Sequence, residues 1–250
     1  MYIKYTDNIG KSIYKTGIYD LALSDVLWRL CEPGSFVIDV GANIGYTTLL
    51  LSKRIQENGQ LYCFEPNPKL IPVLEKNISH MNNTKIRLYP IALSDKQSSS
   101  YFEIPKDQDM NDGIGHLANI ESDHSVLVQT ERLDQLIDNE NIELMKIDVE
   151  GYELNVLHGA EQLLMQKKIK HIVFEEHDDY PTAVTNYLEK IGYKIFRINK
   201  GWFKVNLQES NLEQKFANNY EPTNYIATVD EIKLKRKMKE GIFYSIFDGK

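Results

Sequence analysis

One ten-residue stretch, Phe36-Val37-Ile38-Asp39-Val40-Gly41-Ala42-Asn43-Ile44-Gly45, constrains this chain more than any other. Its uninterrupted apolar start predicts a strand covered on both faces, as in a parallel sheet. Gly41 and Gly45 then let backbone approach a ligand without a Cβ in the way, and the run from Tyr46 to Leu51 opens a helix directly behind them. Free amides at such a helix start suit an anionic or strongly polar group, so the stretch predicts a nucleotide-like ligand.

The rest of the chain repeats this unit. Apolar residues at helical spacing predict a helix over 21–30, stopped by Pro33-Gly34 before the strand that carries Asp39. A helix over 45–56 follows, then a strand over 61–64 that ends at Glu65-Pro66, a helix over 67–81 and a strand over 86–93. The rhythm breaks at 98–104 and 125–129, short alternating strands that predict an inserted hairpin around a polar, mobile loop, 105–119. It resumes with a helix over 133–137, a strand over 144–148, a helix over 154–165 and a strand over 172–174 that ends at Glu175-Glu176-His177. A helix over 183–191, a strand over 193–198 and late strands over 202–205 and 225–229, read as an antiparallel edge pair, complete the order.

The pattern predicts an α/β fold: a Rossmann-like, doubly wound, mostly parallel sheet of about seven strands with helices on both faces, an antiparallel edge strand and a small hairpin insertion. Its 250 residues, 42% apolar, suit one domain. That domain has a helical lead-in over 1–33, a core over 34–205 with the insertion at 96–130, and a tail over 206–250 with an edge strand and a basic helix. The lysine-rich 232–239 stretch reads as a solvated terminal helix, or else as a surface for an acidic partner or membrane, with Tyr244 and Phe247 docking the tail.

Charge narrows the partners. A formal charge of −7 works against nucleic acid, whose binding rests on lysines and arginines neutralising phosphates, so a small molecule or glycan is expected instead. Cys31 and Cys63 are far apart and read as reduced core thiols. The polar N-terminus lacks a signal peptide's apolar core and no run of about 18 apolar residues occurs, so a cytoplasmic protein with no membrane insertion is expected. Nothing in the sequence addresses oligomeric state.

In open α/β sheets ligands sit beyond the carboxyl ends of the strands, where Asp39, Glu65, Asp148 and Glu175 all fall. Glu65, twenty positions after Gly45, suits the hydroxyls of a ribose. A pyrophosphate loop wants Gly-x-Gly-x-x-Gly, whereas this chain has Asp-x-Gly-x-x-x-Gly from Asp39 to Gly45. An acid ahead of the turn repels pyrophosphate but can meet an ammonium, directly or through water. S-adenosylmethionine has that ammonium and no phosphate.

These residues resemble the FkbM-type methyltransferases, within the Rossmann-like enzymes that use S-adenosylmethionine. The resemblance spans roughly 19–198. It rests on the 38–45 turn, Phe64-Glu65-Pro66-Asn67-Pro68, Ala92-Leu93-Ser94-Asp95, and above all Lys146-Ile147-Asp148-Val149-Glu150-Gly151-Tyr152-Glu153 with Leu157-His158-Gly159-Ala160 behind it. It implies methyl transfer, usually to a hydroxyl of a sugar or another natural product. It also implies a donor site in which Asp39, Gly41, Ala42, Asn43 and Gly45 line the methionine end, Glu65, Pro66 and Asn67 hold the ribose, Ala92, Leu93 and Ser94 lie near adenine, and Asp148 faces the crevice.

Lys146, Asp148 and Glu150 alternate with apolar residues and would share one strand face. Asp148 reads as an active-site residue; Glu150 reads equally as part of that site or as a cap on the next helix. A hydroxyl attacks well only as its proton leaves, so Asp148, Glu175 and His177 are the candidate catalytic residues, with His177 the first choice of base and His116 a weaker rival. His177 also admits a purely structural reading. Asp148, Glu175, Glu176 and His177 could alternatively hold a divalent ion, although no metal is required. A nicotinamide-dependent oxidoreductase and a catalytically silent cofactor-binding partner stay open as other outcomes of the same fold.

Overall fold

The computed structural model describes residues 1–3, 8–81, 85–104, 115–118, 120–138, 140–201, 204–210 and 222–239. Its elements begin with α1 (Asn8–Thr16), α2 (Leu21–Leu30), β1 (Phe36–Val40), α3 (Tyr46–Ile55), β2 (Gln60–Phe64), α4 (Ile71–Ile78) and β3 (Ile86–Tyr89). A second group follows: β4 (Ala92–Leu93), β5 (Ser98–Glu103), β6 (His116–Ala118) and β7 (Ser125–Glu131). The alternation then returns with α5 (Leu133–Leu136), β8 (Ile142–Ile147), α6 (Glu153–Gly159), α7 (Glu161–Met165), β9 (Ile169–Glu176), α8 (Ala183–Lys190) and β10 (Lys194–Lys200). It closes with β11 (Val205–Glu209), β12 (Thr223–Thr228) and α9 (Glu231–Lys239).

The main sheet runs in the order β11-β10-β12-β9-β8-β1-β2-β3. Its right half, β9 to β3, is parallel, while β12 pairs antiparallel with both β9 and β10, and β11 with β10. This is the α/β, doubly wound arrangement the sequence predicts, with eight strands in this sheet in place of about seven. The late strands do not form an edge pair: β12 wedges inside the sheet and β11 takes the edge. Tyr225, Ile226 and Ala227 are all buried, as in a strand covered on both faces.

Period-two alternation divides the strand residues between two cores. Phe36, Ile38 and Val40 of β1 pack with Met145, Ile147, Phe174 and residues of α5 to α8, while Val37 faces Leu144, Val173, Ile226 and residues of α2, α3 and α9. Asp39 and Lys146 sit opposite one another in the β1–β8 register, on the α3 side with Val37 and Leu144. Burying about ten large apolar side chains per face, at ~1.5–3 kcal/mol each, holds this sheet between its helices.

Other expected bounds shift for local reasons. The strand over 86–93 breaks in two: β3 stays in the main sheet, and β4 turns away to pair with β7. The helix over 154–165 divides at Ala160, and β9 extends far enough to include Glu175 and Glu176. The insertion is a small four-stranded sheet, β4-β7-β5-β6, whose Phe102, Ile104 and Val128 form their own cluster. Of the loop expected over 105–119, residues 105–114 and 119 lie outside the described residues, as do Trp202 and the tail residues Tyr244 and Phe247.

The basic helix α9 is not simply solvated. Leu234 is fully buried, and Lys233 reaches Glu143 at 2.6 Å while Lys237 reaches Glu32 at 2.7 Å. Both cysteines are buried and unpaired, and burial pushes their thiols up. Among the described residues no helix is long and apolar enough to cross a membrane.

Where β1 ends, Gly41 and Ala42 both donate backbone bonds to the Phe64 carbonyl, at 3.0 Å each. Gly41 has φ +78°, and a Cβ built there would lie 1.9 Å from the Asp148 carbonyl oxygen. Gly41→Ala should therefore destabilise the fold by more than the about 1–2 kcal/mol of a left-handed alanine alone, read as a shift in the denaturant midpoint.

Candidate functional site

Beyond the carboxyl ends of the parallel strands lies a cavity of about 640 Å³, within the size range of small-molecule sites. Three groups of elements supply its walls. The turn after β1, the ends of β2 and β3, and β4 contribute Gly41, Asn43, Phe64, Glu65, Pro66, Asn67, Leu70, Ile91, Ala92 and Leu93. The ends of β8, β9, β10 and β12, together with the start of α2, contribute Asp148, Glu150, Glu175, His177, Lys200, Asn224, Tyr19 and Asp20. The small sheet adds Phe102 and Leu117.

The turn is held by two carboxylates. Glu65 is 5% exposed and accepts the Asn43 amide at 2.8 Å and the Asn67 amide at 2.9 Å. Burial pushes its carboxyl up to about 7, against the pull of those two amides. Asn43, at φ +51°, accepts the Ile44 amide on its own side chain, a local bond that suits asparagine to the left-handed region.

Asp39 is fully buried beneath the turn and does not line the cavity. One oxygen, Oδ2, accepts the Thr47 and Thr48 hydroxyls at 2.7 Å each. The other has no hydrogen bond and faces the Lys146 ammonium at 3.4 Å. A direct meeting of Asp39 with a ligand's ammonium, as the sequence allows, is thus not what the geometry offers. Asp39 instead anchors α3 and a buried lysine.

Lys146 stands at the centre. Its Nζ lies 3.4 Å from Asp39 and 3.4 Å from Asp148, and donates to the Gly41 carbonyl at 2.8 Å. Burial works against its charge, but Asp148 and Asp39 outweigh it and its pKa is raised, so the lysine stays protonated. The expected single charged face over 146–150 holds only in part, because β8 ends at Ile147 and Glu150 turns away at φ +52°.

Glu150 does not cap α6. Glu153 accepts the Val149 and Gly151 amides there, at 3.3 and 3.2 Å, while Glu150 reaches His177 at 3.3 Å. His177 is 60% exposed at the rim, less enclosed than a first-choice base should be. Glu175 is set deeper: burial, then Asp148 and Glu150, push it up to about 8.

Of the residues singled out in the sequence, Gly41, Asn43, Glu65, Pro66, Asn67, Ala92, Leu93, Asp148, Glu175 and His177 converge on the one cavity. Asp39, Ala42, Gly45, Ser94, Glu176 and His116 are not part of its lining. Ser94 is buried with its hydroxyl 3.2 Å from that of Tyr152, and His116 pairs with Glu103 on the small sheet. Glu176 is pushed up to about 7 by burial and Glu153. Among the described residues no three His, Cys, Asp or Glu side chains form a group that could hold a metal, so Asp148, Glu175, Glu176 and His177 do not converge as such a set. Sequence reasoning misses Tyr19, Lys200 and Asn224, which carry no motif. The return of β12 beside β9 sets Asn224 opposite Glu175, while Tyr19, ahead of α2, and Lys200, at the end of β10, reach the cavity from other parts of the chain.

The sequence model for the methyltransferase FkbM domain matches residues 39–195, from β1 into β10. A 2-O-methyltransferase, NoeI, from Sinorhizobium fredii is 25% identical over 165 residues, covering 60% of this chain and 67% of its own. A hexuronic acid methyltransferase, AglP, from Haloferax volcanii is 28% identical over 182 residues, covering 70% of this chain and 67% of its own. Among solved structures, a SAM-dependent methyltransferase from Aquifex aeolicus superposes with TM-score 0.43 at 13% identity, covering 82% of this chain and 87% of that one.

Two outcomes follow from the charges. Lys146→Met should cost about 3–5 kcal/mol in chemical denaturation, because it leaves Asp39 charged, buried and without its cation. Glu175→Gln should shift thermal stability with pH. Below the ordinary carboxyl value of 4.5 both native and unfolded chains hold the Glu175 proton; between there and about 8 only the native chain does, so stability falls as pH rises. The variant lacks that loss, so its melting temperature relative to the parent should climb between pH 5 and pH 8; a constant difference would refute the assignment.

Proposed function

The chain belongs to the FkbM methyltransferase family, whose methyl donor is S-adenosylmethionine, and from that premise we propose that it methylates a hydroxyl oxygen of a sugar or similar small molecule. The observation that carries this reading is the meeting, in one cavity, of the glycine turn with the two acids Asp148 and Glu175. The names of the two relatives, a 2-O-methyltransferase and a hexuronic acid methyltransferase, support oxygen and sugar.

The residues fit the donor. Its ribose would be held by Glu65, whose buried carboxylate keeps lone pairs free beside two backbone amides. Phe64, Leu70, Ile91 and Leu93 offer an apolar wall for adenine, and Gly41, whose missing Cβ lets the turn pack against the Asp148 carbonyl, lines the cavity for the methionine part. The donor supplies a methyl group on a positively charged sulfur. A nicotinamide dinucleotide fits less well, since the turn lacks the second glycine of a pyrophosphate loop.

The chain's own contribution is to position the acceptor and to take its proton. Glu175, whose carboxyl is pushed up to about 8 by burial and by Asp148 and Glu150, stands in the cavity as the candidate acceptor of that proton. Lys146 fixes Asp148 in place from below. His177, backed by Glu150, stands at the rim as a second proton acceptor. The −7 charge and the acidic cavity argue against a nucleic acid acceptor.

Calorimetry with S-adenosylhomocysteine tests the donor assignment: the parent protein should bind it, and Glu65→Ala should weaken binding by about tenfold or more, ~1.4 kcal/mol. No binding by folded protein, or an unchanged affinity in the variant, would overturn it. Asp148→Asn should retain donor binding and lose methylation, whereas donor binding without turnover on any acceptor by the parent would mark a silent binding module.

A further inference from the structure

A second cavity, of about 360 Å³, adjoins the first, and among the described residues Tyr152 lines both. Its walls come from the turn after β4, from β5, from Thr130 of β7 and from Asn155 of α6. Three chain segments pass from one cavity into the other. Leu93, Phe102 and Leu117 line the first, and their neighbours Ser94, Tyr101 and Ala118 line the second. The rim is fixed in place: a Cβ on Gly159 of α6 would lie 2.0 Å from the Ser94 carbonyl oxygen, and Arg132 donates both to the Asp95 carbonyl and, at 3.0 Å, to that of His158. Such a cavity is formed before any ligand arrives.

The small sheet changes character where this cavity begins. Alternation puts Ser98, Ser100 and Phe102 on one face of β5, opposite Thr130, Val128 and Val126 of β7. At its Phe102 end that face is an apolar cluster with Ile104 and Val128; at its Ser98 end it carries hydroxyls. The hydroxyls of Ser98 and Thr130 are 3.1 Å apart, and Ser100 donates to the Ala118 carbonyl at 3.3 Å, which leaves lone pairs on both serines. Across from them the Asn155 carboxamide, with two donors and an acceptor, has no hydrogen-bond partner among the described residues.

We propose that this second cavity holds the neutral sugar unit next to the one that is methylated, so that the acceptor is an oligosaccharide or glycoconjugate. This rests on the methyltransferase reading of the first cavity and extends it. Hydroxyl and carboxamide groups both donate and accept, which is what the hydroxyls of a sugar require, and Tyr152 adds an aromatic ring between the two units. Among the described lining residues one carboxylate, Asp95, stands with one ammonium, Lys96, so the walls select no net charge. Binding a remote unit here would hold the reacting hydroxyl in register with Asp148 and Glu175 in the first cavity.

The test uses the full chain saturated with S-adenosylhomocysteine and titrated with chitobiose, cellobiose and lactose, each against its own monosaccharides, by saturation-transfer NMR and calorimetry. At least one disaccharide should bind about tenfold or more tightly than either of its units, and in hydrogen exchange it should protect amides over 94–101 and 152–155 that the monosaccharide leaves unprotected. Asn155→Leu should abolish that advantage and leave S-adenosylhomocysteine and monosaccharide affinities unchanged. Ser98→Ala, which does not touch α6, should reduce it and serves if the first variant does not fold. No disaccharide advantage, binding of no sugar, or an advantage that survives the substitutions would overturn the proposal. Failure of S-adenosylhomocysteine to bind would instead overturn the reading beneath it.

Discussion

The buried ammonium of Lys146 is the interaction on which the rest of this site depends. It sits 3.4 Å from each of two carboxylates on different segments, Asp39 in β1 and Asp148 just past β8, and donates to the carbonyl of Gly41 between them. Removing a charge from water is costly, and this one is tolerable only because every side of it is met by an opposite charge or a carbonyl. The consequence is positional. The glycine turn and the first acid of the acceptor side cannot move independently, because one cation holds both.

From that point the cavity acquires two unlike halves. Toward β2 and β3 the wall is apolar and the one acid, Glu65, is occupied by the amides of Asn43 and Asn67. Toward β9 and β12 the wall is acidic, with Glu175 and Asp148 both lining it and Glu150 against His177. The small sheet closes the remaining side with Phe102 and Leu117. A site built this way suits the proposed methyl donor at one end and the proposed proton acceptor at the other. Raised carboxyl pKa values on the acidic side follow from burial and like charge, the same two causes that make such groups useful as bases near neutral pH.

Much of this was legible in the residues. Phe36 to Gly45 could hardly be anything but a buried strand running into a turn, because an apolar run broken only by Asp39 and followed by two closely spaced glycines has few other low-energy arrangements. Glu65 was readable for the same reason, as the acid at the end of the next strand. Asp148 and Glu175 were placed by topology alone, since parallel strands deliver their carboxyl ends to one edge. Less legible was the role of Asp39, whose position ahead of the turn suggested ligand contact; the pleat of β1 instead directs its side chain toward α3, where Thr47, Thr48 and Lys146 claim it. His177 looked the best base on chemistry, but its exposure depends on where β9 ends.

By itself, then, the sequence determined what local physics can determine: the alternation of strands and helices, the conformation of the glycine turn, and which acids stand at strand ends. Only the tertiary structure decided which of those acids share the cavity, that β12 enters the sheet beside β9 and sets Asn224 opposite Glu175, and that Tyr19 and Lys200 join the cavity from distant parts of the chain. The physical reason is range. Strand pattern and turn conformation follow from neighbours within a few residues, whereas the balance of charge in a cavity depends on side chains more than a hundred positions apart, as Asp39 and Lys146 are, brought together by strand register.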